Sequence, residues 1–150
     1  MQKPLTVVIG SDHAGYNLKS LLADKLTAWG HNVEDVGAHS TASVDYPEYG
    51  RAVGERVVQL GGDARGVCVC GSGIGISIAA NKVAGVRAAL VSEPTAARLS
   101  RQHNDANVIC FGERLIGAAV AEESLRVWLE TPFEGGRHAR RVAMLDVTLK

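Results

Sequence analysis

The chain has 150 residues, 46% of them hydrophobic and 21% charged, and its 16 basic side chains balance 16 acidic ones. These values are typical of one globular domain, residues 1–150, with a single buried core. The balanced charge gives no indication of nucleic-acid binding, and no apolar run approaches the roughly 20 residues that cross a membrane. Because the N-terminal apolar stretch is too short for a secretory signal, we predict a cytoplasmic protein.

Five short runs rich in β-branched residues alternate with segments that have helical hydrophobic spacing. The predicted strands are Leu5–Gly10, His31–Val36, Gly66–Cys70, Val86–Val91 and Asn107–Phe111. Leu60 and Val120 are expected on the apolar faces of two of the intervening helices. Alternation of this kind implies parallel strands joined by right-handed crossovers. The predicted fold is therefore α/β, a single doubly wound, Rossmann-like domain with a five-stranded parallel sheet.

The first loop at the carboxyl edge of this sheet carries Asp12 and His13. In doubly wound sheets, ligands bind beyond the carboxyl ends of the strands, so both side chains are candidates for a site. Asp12 suits proton transfer, and it also suits the N-cap of the helix that follows; the two roles can coexist. His13 suits acid–base chemistry or phosphate binding.

A glycine-rich segment, Gly71–Gly75, follows the third predicted strand and precedes a helix. Glycines let backbone N–H groups point inward, and a helix N-terminus adds a partial positive charge, so the segment is suited to an anion. It differs from a dinucleotide-binding fingerprint because it follows the third strand and has Ile76 where the last glycine is required.

Cys70 is the last residue of the strand that leads into this loop. A thiol close to a helix N-terminus ionises more readily, and neighbouring amide donors can stabilise an oxyanion, so Cys70 is a candidate base. Cys68 lies one pleat period earlier and is interpreted as a small buried hydrophobe. Three cysteines without a secretory signal argue against disulfides, and no histidine or cysteine pair around them has structural-zinc spacing.

Two polar segments in the last third of the chain are further candidates. His103 and Asn104 lie in a run of amides and charges before the fifth strand. Arg137 and Arg141 are four residues apart, so on a helix they share a face, and guanidinium groups match phosphate geometry. A solvated basic helix face is the alternative interpretation.

Five segments together resemble the ribose-5-phosphate isomerase type B family, which also includes allose-6-phosphate and galactose-6-phosphate isomerases. The segments, which span nearly the whole chain in order, are 11–15, 45–47, 70–77, 100–107 and 134–138. The resemblance implies a cofactor-free and metal-free aldose–ketose isomerisation of a phosphorylated sugar through an enediolate. It also implies a homodimer, or a dimer of dimers, whose active site is shared between two subunits.

The resemblance also assigns roles to individual residues. Cys70 would move the proton between C1 and C2, with Ser72 and the loop amides beside the enediolate. His103 would open the furanose ring, aided by Asp12. The residues that would bind substrate are His13, Tyr46, Gly71, Gly73, Ile74, Gly75, Asn104, Arg114, Arg137 and Arg141.

One departure within the family pattern indicates the subtype. Some members carry a glutamate base just after the glycine loop and lack the cysteine, whereas this chain has Ile76 at that position and Cys70 on the strand. Ser72 stands where other members have threonine, so the hydroxyl is retained. Ile76 and Cys70 therefore favour the cysteine-dependent form.

Two other functions fit parts of the same pattern. A non-catalytic nucleotide-binding module is disfavoured by the glycine spacing, although Glu93 after the fourth strand resembles a ribose-binding acid. A redox protein using Cys68 and Cys70 is disfavoured because cysteines one residue apart in a strand are poorly placed to bridge each other. The residues leave open a five-carbon or a six-carbon sugar phosphate as substrate.

Overall fold

A five-stranded parallel sheet with helices on both faces forms the described part of the chain, residues 2–146 of a computed structural model. The elements in chain order are β1 (Thr6–Ser11), α1 (Tyr16–Ala28), β2 (Asn32–Asp35), α2 (Tyr46–Leu60), β3 (Arg65–Cys70), α3 (Ile74–Asn81), β4 (Ala88–Leu90), α4 (Pro94–Asn104), β5 (Val108–Gly112), α5 (Ala118–Glu130) and α6 (Arg137–Leu145). All five predicted strands are present with shifts of at most two residues at either end. The predicted fold class is confirmed.

The strand order, β2-β1-β3-β5-β4, places the ends of three strands beside one another. Ser11 of β1 pairs with Val69 of β3, and Cys70 of β3 pairs with Gly112 of β5. Chain direction along the sheet changes between β1 and β3, which is where ligand crevices form in such folds. Loops carrying Asp12, the glycine segment and Arg114 therefore leave the sheet side by side.

Two hydrophobic clusters fill the two faces of the sheet, as alternation along a buried strand requires. Val67 and Val69 belong to the cluster beneath α1 and α5, while Cys68 and Cys70 belong to the cluster beneath α2 and α3. Cys68 is fully buried and pairs in register with Cys110 of β5. A hydrogen bond from Cys68, together with burial, raises the pKa of the Cys110 thiol well above its ordinary value. This agrees with the interpretation of Cys68 as a buried hydrophobe.

Three details differ from the expectations. Leu60 and Val120 are each 37% exposed, because their helices bury an adjacent face. In α5 that buried face includes Ala121 and Ser124. Asp12 does not cap α1: its carboxylate accepts from the Gly15 amide at 3.0 Å, in the turn before the helix.

No helix within residues 2–146 has the length and apolar character needed to span a membrane.

Candidate active site

A cavity of about 590 Å³ lies at the carboxyl edge of the sheet, where β1, β3 and β5 end. It is lined by Asp12, His13, Ala14, Tyr46, Cys70, Gly71, Ser72, Ile74, Gly75, Ile78, Arg114 and Leu115. Nine of these residues were predicted site residues, and they come from four separate segments of the chain. The topology of the sheet therefore assembles one half of the expected site.

Cys70 lies at the inner wall of this cavity and is only 4% exposed. The backbone amide of Gly73 donates a hydrogen bond to its sulfur at 3.1 Å. That amide points at the sulfur because Gly73, the N-cap of α3, has φ of +76°, a conformation that favours glycine. A Cβ on Gly73 would also lie 2.6 Å from Leu90 and 2.8 Å from the Phe111 backbone. The thiol is thus reached from the cavity and faces a helix N-terminus.

The glycine loop is fixed to the end of β5 by backbone contacts. Glu113 N donates to the Cys70 carbonyl at 2.9 Å, and Arg114 N donates to the Gly71 carbonyl at 3.0 Å. Gly112 allows this close approach, because a Cβ there would lie 2.4 Å from the Ser72 backbone. The sequence assigns Gly112 no role, because its only local signal is a glycine at the end of a buried strand.

The Asp12 and His13 side chains are held in defined orientations. Asp12 is 6% exposed, and its own backbone N–H donates to the Val69 carbonyl at 3.3 Å. His13 accepts a hydrogen bond on Nδ1 from the Val44 amide at 3.1 Å. Because a neutral imidazole carries one proton, this bond leaves Nε2 as the hydrogen-bond donor of His13. The ring is therefore prepared to donate to an oxygen in the cavity.

Arg114 gives the cavity wall a cationic group. Within residues 2–146, no carboxylate lies within ion-pair distance of its guanidinium. The cavity thus combines a thiol, a serine hydroxyl, the backbone of the glycine loop and a guanidinium. Such a set suits removal of a proton beside a carbonyl, with donors available for the oxyanion that forms.

Four predicted site residues lie elsewhere: His103, Asn104, Arg137 and Arg141. Helix α4 starts after β4 at the carboxyl edge and ends just before β5 begins, so His103 and Asn104 lie at the opposite, amino edge of the sheet. Helix α6 packs on α4 and brings its arginines to that side. One chain alone does not unite these residues with Cys70.

His103 forms a compact group with His138 and Glu134 at this second location. The two imidazole rings stack with centroids 4.4 Å apart, and each has Nε2 3.9 Å from a Glu134 carboxylate oxygen. Burial, followed by the charges of His103 and Arg137, lowers the pKa of His138. His138 therefore stays neutral more readily than an ordinary imidazole does.

This group contains metal-ligand types, since its three ligand atoms lie within 4.8 Å of one another. A metal–imidazole bond lies close to the ring plane. Two rings inclined by only 16° and stacked do not meet at a common point within bonding distance of both nitrogens. The arrangement suits electrostatic attraction between the two imidazoles and one carboxylate better than chelation.

Comparisons with known proteins agree over nearly the whole chain. The profile of the family described as Ribose/Galactose Isomerase matches residues 7–145. The chain is 46% identical to ribose-5-phosphate isomerase B of Escherichia coli, covering 91% of both chains, and 41% identical to a putative sugar phosphate isomerase of Bacillus subtilis, covering 95% of both.

Solved structures give the same result. Ribose-5-phosphate isomerase B of Clostridium thermocellum superposes with a TM-score of 0.92 at 49% identity and 95% coverage of both chains. The Mycoplasma genitalium protein of that name, solved with bound ribulose-5-phosphate, superposes with a TM-score of 0.92 at 36% identity, covering 97% of this chain and 96% of that one.

Proposed function

Because the chain belongs to the ribose/galactose isomerase family, we propose that it interconverts ribose 5-phosphate and ribulose 5-phosphate. The names of the relatives support this reaction, and one related structure contains the ketose product. The observation that carries the proposal is a strand-end thiol, Cys70, that accepts a hydrogen bond from the Gly73 amide at the wall of the cavity. We take residues 1–150 as one catalytic domain acting in the cytoplasm.

In the proposed chemical step, the Cys70 thiolate removes the proton from C2 of the open-chain aldose. The C2–H electron pair forms the C1–C2 double bond of the enediolate, and the carbonyl π electrons move onto the oxygen at C1. The thiol then returns its proton to C1, and the enediolate double bond supplies the electron pair of the new C1–H bond. At the same time the O2 hydroxyl loses its proton as its oxygen forms the C2 carbonyl, and that proton passes to O1 to give the C1 hydroxyl of the ketose. Amides of the glycine loop and the Ser72 hydroxyl face the developing negative charge, and one such donor typically contributes about 10²–10³ in rate.

Ring opening must come first, because the sugar phosphate is mainly a closed furanose. We propose that His103 of a second copy of the chain carries out this step, with Asp12 assisting from the cavity wall. Two observations support a second copy: His103 lies at the opposite edge of the sheet from Cys70, and the cavity rim is apolar and open. Ile74, Ile78 and Leu115 on this rim are 50%, 55% and 69% exposed. A homodimer, or a dimer of such dimers, would cover that rim.

The same second copy would supply the phosphate-binding arginines and Asn104, which would bind the sugar oxygens. Arg137 and Arg141 are exposed on one face of α6, and no ion pair of theirs occurs within the described residues 2–146. His13 and Arg114 would meet the phosphate end from the cavity side. Charge-assisted bonds of this kind are worth about 1.5–3 kcal/mol each.

Removing one of these arginines should therefore weaken binding of the phosphorylated substrate. We expect Arg137→Ala or Arg141→Ala to raise KM for ribose 5-phosphate by about 10- to 100-fold, the equivalent of one charge-assisted bond. Steady-state kinetics measure this, with Arg140→Ala on the same helix as the control that removes an equal charge. Binding of unphosphorylated ribose should change much less; equal losses for both ligands would exclude the phosphate role.

A panel of substrates tests the proposed function as a whole. The purified chain is assayed with ribose 5-phosphate, allose 6-phosphate and galactose 6-phosphate, and kcat/KM values are compared. The proposal predicts the highest value for ribose 5-phosphate. A higher value for a six-carbon substrate would retain the isomerase class but reject the substrate, whereas no turnover of any sugar phosphate would reject the function.

A further inference from the structure

Lys19 is a charged residue that the proposed chemistry leaves unused, yet it is almost completely buried. Its exposure is 1%, although it lies on α1 just behind the loop that carries Asp12 and His13. Taking an ammonium group out of water costs several kcal/mol, and an apolar side chain of similar volume is usually a more stable choice. A buried lysine at this position therefore calls for a reason other than core packing.

The ammonium group of Lys19 holds the segment that follows β2. It donates to the Asp35 carboxylate at 2.9 Å and to the Ala38 carbonyl, and it lies 5.2 Å from the centre of the Tyr16 ring. The same Asp35 oxygen also accepts from the Gly37 amide at 2.8 Å. Segment 35–38 is thus fastened to α1 through one buried cation.

Segment 35–38 is also bonded directly to the end of β1. Ser11 N donates to the Gly37 carbonyl at 2.7 Å, and Ala38 N donates to the Ser11 carbonyl at 2.6 Å. The chain then continues for six residues to Val44, whose amide donates to His13 Nδ1. Lys19 is therefore connected to the His13 ring by hydrogen bonds and by one short chain segment, residues 38–44.

We infer that Lys19 is a positioning residue that orients the His13 imidazole by anchoring segment 35–44. The inference rests on the proposed function in one respect: His13 is taken to contact the substrate phosphate. With Val44 in place, His13 presents the Nε2 proton to the cavity. Without the Lys19 ammonium, Ala38 and Asp35 lose their common partner, the segment shifts, and the Val44 bond to Nδ1 is no longer enforced.

Lys19→Met tests this inference, because methionine keeps most of the side-chain volume and removes the charge. KM for ribose 5-phosphate should rise about 10- to 100-fold with a much smaller change in kcat, the range that follows from losing one charge-assisted hydrogen bond to the phosphate. Lys25→Met is the matched control: Lys25 lies on the same helix, is 42% exposed and pairs with Glu122 at the surface. It should leave both constants unchanged.

The His13 ring itself provides a readout that does not depend on turnover. Long-range ¹H–¹⁵N spectra, with His13 assigned by its absence in His13→Gln, should show the Nε2–H tautomer in the native chain and in Lys25→Met. Lys19→Met should show a mixture of tautomers. An unchanged His13 signal together with an unchanged KM would overturn the inference.

Asp35→Asn keeps the test available if Lys19→Met does not fold. The amide retains an acceptor for the Gly37 N–H but removes the charge partner of Lys19, so the same changes in His13 tautomer and KM should appear with smaller size. The two proposals fail differently. A native chain inactive on sugar phosphates would reject the proposed function, whereas an active native chain whose His13 is insensitive to Lys19→Met and Asp35→Asn would reject the positioning role.

Discussion

Replacing Cys70 with alanine should reduce kcat for ribose 5-phosphate by at least about 1,000-fold, within the range of general-base contributions. The substitution removes the only thiol that lines the cavity within residues 2–146, while the Gly73 amide, Ser72 and the loop backbone remain. KM should change little because the proposed phosphate contacts are untouched. Continuous assay of ribulose 5-phosphate formation measures the effect. A variant with near-native turnover would remove Cys70 from the mechanism.

Cys68→Ala is the matched control for this experiment. Cys68 lies two residues earlier on the same strand, faces the same side of the sheet and is fully buried. Removing its sulfur leaves a small void, so the free energy of unfolding should fall by about 1 kcal/mol or somewhat more. Its kcat should remain close to native, because the residue does not line the cavity. Denaturant titration and kinetics of both variants separate loss of stability from loss of chemistry.

Mixing two inactive variants should restore activity if the site is shared between subunits. His103→Ala and Cys70→Ala should each be inactive on ribose 5-phosphate as pure proteins. In a mixed dimer, one site combines an intact Cys70 with an intact His103, and the other site lacks both. Random pairing makes half of the dimers mixed, so activity should return to about a quarter of native. This expectation follows from the separation of the two residues across the sheet.

Co-expression of the two chains with different affinity tags verifies that mixed dimers form. A mixture of the single variants Cys70→Ala and Asp12→Asn is the control. Cys70 and Asp12 line the same cavity of the same chain, so no mixed dimer contains an intact site. This control mixture should recover no more than the residual activity of its parts. Continued inactivity of a verified His103→Ala and Cys70→Ala mixture would show that the site is not shared in the proposed way.

The strands and the glycine loop could be predicted because their signals are local. β-Branched runs gave all five strands, and the position of Cys70 at the end of one of them placed its thiol beside the loop. The nine predicted residues that line the cavity come together because parallel strands end at a common edge. Such features depend on chain direction and hydrophobic periodicity, which can be read directly from the sequence.

Other features depend on contacts between distant segments and carry no local signal. Gly112 matters because the Ser72 backbone lies against it, and Lys19 matters because α1 buries it against Ala38. Val120 looked like a core residue but lies one step outside the buried face of α5. The separation of His103 from Cys70 has another cause: α4 ends at the amino edge of the sheet, whereas β3 ends at the carboxyl edge.

Isomerisation in D₂O tests the central proposal most directly, since a base that holds the substrate proton can exchange it with solvent. NMR of the product follows deuterium at C1 of ribulose 5-phosphate. The account predicts incorporation with the native chain and neither incorporation nor product with Cys70→Ser, which has a similar side-chain size but a hydroxyl that does not ionise near neutral pH as a thiol can. Deuterium-free product from the native chain would mean that the thiol returns the same proton before it exchanges with solvent. Near-native product formation by Cys70→Ser, with or without deuterium, would contradict proton transfer by this thiol.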